Sequence, residues 1–117
     1  MKSLRILRLL ALAFVLTLAL STTAFAYPSF NLVNNSGRTI TGIYCALSDT
    51  YRNWQNNVIG AGGFRDGETA TITLGTTARY WDLKAILTGG EVWIWENIDV
   101  ERYGTVIINS DGSITKQ

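Results

Sequence analysis

Apolar and polar residues alternate with a period of two through most of the chain beyond residue 26. The alternating segments are rich in β-branched and aromatic side chains and are separated by groups of Gly, Asn, Asp and Ser. The pattern predicts seven short strands, at Ser29–Val33, Thr39–Leu47, Glu68–Leu74, Arg79–Leu87, Glu91–Trp95, Thr105–Ile108 and Ser113–Lys116. It is typical of an all-β, antiparallel β-sandwich of about seven strands, immunoglobulin-like or of a similar type. A small barrel is the alternative.

The first 26 residues follow a different pattern. Three basic residues within the first eight positions precede the apolar run Leu9–Leu20, and Ala24-Phe25-Ala26 fits a small-x-small cleavage site. The apolar run is shorter than the roughly 20 residues that a membrane-spanning helix needs. We therefore predict a cleaved signal helix at 1–26 and a single exported domain at 27–117, in the periplasm or outside the cell.

The central hairpin allows two registers. A two-residue loop at Gly89-Gly90 would place Ala85 opposite Ile94. A three-residue loop that also includes Thr88 would place Ala85 opposite Trp93. The sequence favours the three-residue loop, because it gathers the charged side chains on one face and keeps carboxylates away from the core.

The favoured register leaves apolar side chains on the face of the hairpin opposite to the core. They are Ile86, Val92 and Ile94. A half-exposed antiparallel strand has no need of an apolar outer face. We therefore expect this face to be covered by the protein's own 48–67 segment, by a second copy in a homodimer, or by another protein.

The segment Ser48–Gly67 is predicted to be irregular, with one helical turn reaching Trp54 and capped by Ser48 or Asp49. Gly60–Gly63 is predicted to be a flexible loop. Tyr51, Trp54 and Phe64 lie in this segment. Aromatic side chains on a loop are candidate contacts for a small ligand or a partner protein, and the alternative is a lid over the end of the sandwich.

Composition limits the chemistry. The chain contains no His, the commonest general base and metal ligand, and its single Cys45 has no imidazole to activate it. Residues 27–117 carry seven Lys and Arg against nine Asp and Glu, a net charge of −2 that does not favour nucleic acid. We expect a non-catalytic binding protein that needs no cofactor.

Four acidic residues are the weak candidates for a cation site. Asp82, Glu96, Asp99 and Glu101 occupy the central hairpin and the connection that follows it. Carboxylate oxygens are the ligands that Ca²⁺ prefers, but the spacing matches no EF-hand. Solvated surface acids are the simpler interpretation, so no metal is assigned.

Several motifs together resemble a family of small exported bacterial β-proteins of uncharacterised function. They are Phe30–Gly37 with its Asn-Asn-Ser-Gly turn, Thr39-Ile40, Asp66–Glu68, Trp81-Asp82-Leu83-Lys84 and Trp95–Val100. The resemblance implies an exported β-domain and supplies no catalytic residues. Members often carry a cysteine pair where this chain has Tyr80 and Glu101, so the resemblance implies no disulfide there.

A second resemblance concerns cysteine-protease inhibitors of the chagasin type. Those proteins present an Asn-containing turn, a Gly-rich loop and an Arg-Pro-Trp segment in that order. This chain has Asn34–Gly37, Gly60–Gly63 and Arg79-Tyr80-Trp81 in the same order. The alternative function is therefore a periplasmic inhibitor of a protease or another enzyme that acts through its loop tips.

Overall fold

Two β-sheets packed face to face make up the domain. The computed structural model describes residues 27–49 and 52–117, which contain seven strands and no helix. The strands are β1 (Ser29–Asn35), β2 (Ile40–Leu47), β3 (Thr69–Thr73), β4 (Tyr80–Leu87), β5 (Val92–Asp99), β6 (Thr105–Asn109) and β7 (Ile114–Lys116). The prediction of an all-β sandwich is confirmed, whereas the predicted signal helix lies outside the described residues.

The two sheets differ in size and in strand direction. One has the order β3-β1-β6-β7 and the other the order β2-β4-β5. β1 and β6 run parallel, with Leu32 opposite Val106, and every other neighbouring pair is antiparallel. The sandwich is therefore antiparallel except at this one pair, where β6 returns beside β1 in the same direction.

The core fills the space between the sheets. Its largest fully buried side chain is Trp81, which is 2% exposed and whose Nε1 donates to the backbone oxygen of Ala78 at 2.8 Å. Apolar side chains at alternate positions of β1, β2, β4 and β6 pack around it. Burial of each such side chain contributes about 1.5–3 kcal/mol, which is the main driving force for folding.

The β4–β5 hairpin has the favoured register. Ala85 lies opposite Trp93 and Leu83 lies opposite Trp95, as a three-residue loop requires. β5 continues to Asp99, although the sequence pattern predicted a connection after Trp95. A bulge at Asn97, whose φ is 55°, shifts the register so that Trp81 faces Ile98. This shift buries Ile98 and extends the strand.

β1 is also longer than predicted, because the first two residues of the expected turn, Asn34 and Asn35, are part of the strand. Asn34 is fully buried. Its Nδ2 donates to the backbone oxygens of Arg38 at 2.8 Å and Phe64 at 2.9 Å, and its Oδ1 accepts from the Ser36 hydroxyl at 2.6 Å. The bend is confined to residues 36–38, where Gly37 adopts a φ of 78°.

The segment after β2 lies along the outer edge of that strand. Backbone N–H groups of Gln55 and Val58 donate to the oxygens of Cys45 and Ile43, both at 2.9 Å. Phe64 and Ile40 exchange two backbone hydrogen bonds at 2.8 Å. Residues 52–54 are not helical, so the predicted helical turn is wrong there, and Thr50 and Tyr51 lie outside the described residues. Hydrogen bonds to β2, rather than those of a helical turn, satisfy backbone groups of the segment at Gln55, Val58 and Phe64.

Candidate binding surface

The face of the β2-β4-β5 sheet that points away from the core carries the residues of greatest interest. We call this face the outer surface. Strand pleating places Tyr44, Lys84, Ile86, Val92 and Ile94 on it, since their neighbours along each strand point inward. The side chain of Trp54 reaches the same surface from the loop that follows β2.

The part of the outer surface formed by β5 is apolar and open. Val92 is 48% exposed and Ile94 is 43% exposed. Val92 lies opposite the half-buried Ile86 on β4, and Ile94 lies opposite Lys84. Most apolar side chains of the described strands are buried, so two adjacent exposed β-branched side chains on one strand stand out.

Asp82 organises the polar part of the outer surface. Its side chain accepts hydrogen bonds from the Ser48 hydroxyl at 2.5 Å, the Arg52 Nε at 3.0 Å and the Asn97 backbone N–H at 3.0 Å. Arg52 also donates through Nη2 to Glu96 at 2.5 Å. This network fastens the loop after β2 to β4 and β5.

The network decides the charge state of Asp82. The residue is 3% exposed, and burial by itself raises the pKa of its carboxyl group. Hydrogen bonds from Ser48, the Asn97 N–H and Arg52 outweigh burial, so the pKa is lowered from its usual value. Asp82 is therefore a buried carboxylate ion with a full set of partners.

Two aromatic rings enclose the ammonium group of Lys84. Its Nζ lies 4.7 Å from the centre of the Tyr44 ring and 4.8 Å from the centre of the Trp54 ring. The Arg52 guanidinium lies 5.4 Å from the Trp54 ring centre. These cation–π contacts hold Trp54 against the sheet. The loop thus covers the side of the outer surface near Lys84 and leaves the β5 side open.

The predicted contact residues fall into three groups. Trp54, Ile86, Val92 and Ile94 share the outer surface. Phe64 does not, because its pairing with Ile40 places its ring in the core, where it is 4% exposed. That prediction is wrong, since the loop pattern around Phe64 gives no sign of a bridge to β2. Tyr51 lies outside the described residues.

The four acidic residues form two separate groups, each centred on an arginine. Asp82 and Glu96 both bind Arg52, whereas Asp99 and Glu101 both lie beside Arg79 at the far end of β5. Hydrogen bonding from Arg79 lowers the pKa of Asp99. Within 27–49 and 52–117, no three His, Cys, Asp or Glu side chains gather as metal ligands would. The arrangement is that of ion pairs.

Cys45 has the properties of a core residue. Its side chain is 2% exposed, and burial raises the pKa of its thiol to about 12. A thiol with such a pKa is protonated at neutral pH and is a poor nucleophile. Its burial on β2 is that of an inert thiol packed in the core.

The three segments that resemble those of chagasin-type protease inhibitors, Asn34–Gly37, Gly60–Gly63 and Arg79–Trp81, do not lie together at one end of the sandwich. Gly63 lies next to Thr39, close to the bend that follows β1, at one end of the sandwich. Trp81 lies opposite Leu47 at the other end of β2, and its side chain is buried. A binding edge that needs all three segments is therefore not formed.

A shallow cavity of about 90 Å³ opens beside the loop. Its lining residues are Leu47, Asp49, Asn53 and Gln55. Pockets that enclose small molecules are usually about 300–1,000 Å³, so this cavity is too small to enclose one. The open part of the outer surface is the better candidate for an interaction.

Sequence reasoning missed the central role of Asp82 and Arg52. Arg52 is 30 positions from Asp82 in the chain, and no local pattern links the two. One signal was available, since Asp82 lies within a run of apolar strand residues and a carboxylate there needs a partner.

The described residues contain no helix with the length and apolar character needed to span a membrane. No family model, curated protein or solved structure matches the chain.

Proposed function

We propose that this chain is an exported, non-catalytic binding protein whose partner is another polypeptide that contacts the outer surface. The observation that carries the proposal is the pair Val92 and Ile94, each more than 40% exposed on the edge strand of a sheet. Exposed apolar patches with polar rims are typical of protein–protein interfaces.

The shape and charge of the outer surface favour a polypeptide over a small molecule. Its apolar part is formed by side chains on the face of two neighbouring strands, β4 and β5, rather than by a cleft. The charged groups at its margin are already paired, as in Arg52 with Glu96 and Arg38 with Glu91. A partner would cover apolar area without having to strip water from an unpaired charge.

A photo-crosslinking amino acid at position 94 tests the outer surface directly. In the producing cell, Ile94 replaced by a photo-crosslinking residue is expected to give a discrete cross-linked product. The matched control is Thr73, an exposed residue on the edge of the other sheet, which should give none. Equal products at both positions, or none at position 94, would remove the support for an interface there.

Export rests on the sequence of the first 26 residues and needs its own test. Intact-mass measurement of the protein from the cell envelope and the medium should give a chain that begins at Tyr27, after the Ala24-Phe25-Ala26 site. A protein that keeps Met1 and stays with the cytosolic fraction would contradict export.

A further inference from the structure

We propose that the partner at the outer surface is a second copy of this chain, joined through antiparallel pairing of β5 with β5 of the second copy. The pairing would merge two three-stranded sheets into one six-stranded sheet across a two-fold axis. This inference rests on the proposed function, because it names the polypeptide that contacts Val92 and Ile94. It also predicts a specific register.

The outward edge of β5 has free backbone groups. The Leu87 N–H donates to the Glu91 oxygen at 2.8 Å, which makes these two residues a hydrogen-bonded pair. Bonded pairs alternate along an antiparallel ladder, so the backbone groups of Val92, Ile94 and Glu96 point away from β4. The described part of the chain has no strand on that side of β5. These groups are therefore available to another strand.

The other sheet edges are protected. The 55–64 segment covers the edge of β2. β7 has only three residues, and so short an edge strand offers few backbone groups for pairing. The exposed positions of β3 are threonines. The bulge at Asn97 and the acidic residues Glu96 and Asp99 lie in the second half of β5, whereas its first half, Val92–Trp95, is wholly apolar and has no Lys, Arg or Pro. An apolar edge segment without these safeguards is a template for pairing with another chain.

The side-chain pattern of β5 selects one register. Backbone geometry allows a two-fold axis at any residue of β5, and the axes at Trp93 and Ile94 are the two that centre the apolar residues Val92–Trp95 on the interface. An axis at Ile94 would set Val92 opposite the partner's Glu96, which places a carboxylate against an apolar side chain. An axis at Trp93 sets Val92 opposite the partner's Ile94, twice by symmetry, and Glu96 opposite the partner's Gly90. This register also sets Glu91, whose carboxylate binds Arg38 and accepts from the Trp93 ring nitrogen, opposite the partner's Trp95. It pairs the exposed apolar side chains of the outer surface with one another, so it is the one we infer.

The same register pairs the two Trp93 rings on the inner side of the merged sheet. Trp93 is half-buried and packs edge-on against Trp95, with ring centres 6.2 Å apart. Directly opposed tryptophans are favourable cross-strand pairs. Glu91 and Glu96 at the margins are held by Arg38 and Arg52 in each copy, so the two edges do not repel each other strongly.

Site-directed disulfides test this register. Val92→Cys protein mixed with an equal amount of Ile94→Cys protein should give a cross-linked dimer on mild oxidation. Random exchange of subunits in a two-fold dimer limits the yield to about half of the molecules. Each variant alone should cross-link poorly, because identical positions are not opposite each other about an axis at Trp93. The native Cys45 should not interfere, since it is buried.

The controls distinguish registers from random collision. Strong cross-linking of Ile94→Cys alone would indicate an axis at Ile94 and would overturn the inferred register. Cross-linking of Val92→Cys with Thr73→Cys, on the edge of the other sheet, should stay at background. Equal yields in all mixtures would contradict the proposal, as they would show collision without a fixed geometry.

A proline at position 94 tests the backbone pairing separately. Ile94→Pro removes an outward-pointing N–H and leaves the ladder with β4 intact, so the variant should fold and be monomeric. Thr73→Pro makes the same change on the edge of β3 and should remain dimeric. If the purified protein is monomeric but position 94 still cross-links a different protein in cells, the proposed function stands and the second-copy inference fails.

Discussion

Asp82 is the residue on which the arrangement of the outer surface most depends. Three donors from two segments meet at its carboxylate, namely Ser48 and Arg52 from the loop after β2 and the N–H of Asn97 on β5. A hydrogen bond to a charged group contributes about 1.5–3 kcal/mol. We therefore expect Asp82→Asn to lower the free energy of unfolding by about 2 kcal/mol at pH 7.

The effect of Asp82 should depend on pH with a definite sign. Its folded pKa is below its ordinary value of about 4, so its stabilisation is complete above that pH and is lost as pH falls through the folded pKa. Urea unfolding of wild type and Asp82→Asn at pH 7 and pH 3 measures this. The difference between the two proteins should shrink at pH 3, and a difference that stays constant would contradict the pKa direction.

Two tryptophans should differ sharply in their contribution to stability. Trp81 is buried among core side chains, so Trp81→Ala should cost about 3–5 kcal/mol and can unfold so small a domain. Trp54 is half-buried and held by Lys84 and Arg52, so Trp54→Ala should cost about 1 kcal/mol. Denaturant unfolding of both variants measures this, and the reverse order would mean that the two roles are exchanged.

The sequence predicted some residues well and others poorly, for physical reasons. Trp81 and Cys45 are predictable as core residues, because strand alternation decides their direction. Phe64 was not predictable as a core residue, because its burial depends on a β-bridge to Ile40, and the segment around Phe64 has no strand pattern. Asp82 was placed on the correct face, but its burial depends on Arg52, which comes from a distant loop.

At the level of elements, alternation located all seven strands and missed how two of them end. β1 extends to Asn35 because the polar side chain of Asn34 is satisfied inside the fold. β5 extends past Trp95 because a bulge at Asn97 restores the inward direction of Ile98. Both extensions depend on contacts between distant segments. The parallel pairing of β1 with β6 is also beyond the reach of local patterns.

The loop after β2 acts as a substitute edge strand, and Asn57 is central to it. The Asn57 Oδ1 accepts from the backbone N–H of Ile43 at 3.0 Å and from that of Ile59 at 3.2 Å. Asn57→Ala would leave the N–H of a buried strand residue without its partner. We expect a loss of about 1–3 kcal/mol and faster hydrogen exchange at the Ile43 amide.

Asn56→Ala is the matched control for this change. Asn56 is exposed and precedes Asn57 directly, so its replacement should change stability by less than about 0.5 kcal/mol. If both variants exchange the Ile43 amide at the wild-type rate, the loop is not what protects the edge of β2.

For the molecule as a whole, the outer surface consists of a part that the loop covers and a part that is exposed. The loop, Trp54 and the Asp82 network close the outer surface over β2 and part of β4. Val92 and Ile94 leave it open at β5. This difference between the two parts of the outer surface explains why the sequence alone did not decide whether the loop or a second protein covers the outer face of the β4–β5 hairpin. The loop is one cover, but it reaches only part of the face.

Light scattering of the protein beginning at Tyr27 over a range of concentrations, with thermal melts of the same samples, tests directly whether β5 is the interface between two copies. Wild type should approach twice the monomer mass as concentration rises. Ile94→Lys should stay monomeric and folded, because it removes the apolar pair with the partner's Val92 and a lysine on an edge strand opposes pairing with another chain. Thr73→Lys should behave as wild type. A wild type that is monomeric at every concentration, with an unchanged melting temperature in Ile94→Lys, would contradict β5 as the interface between copies.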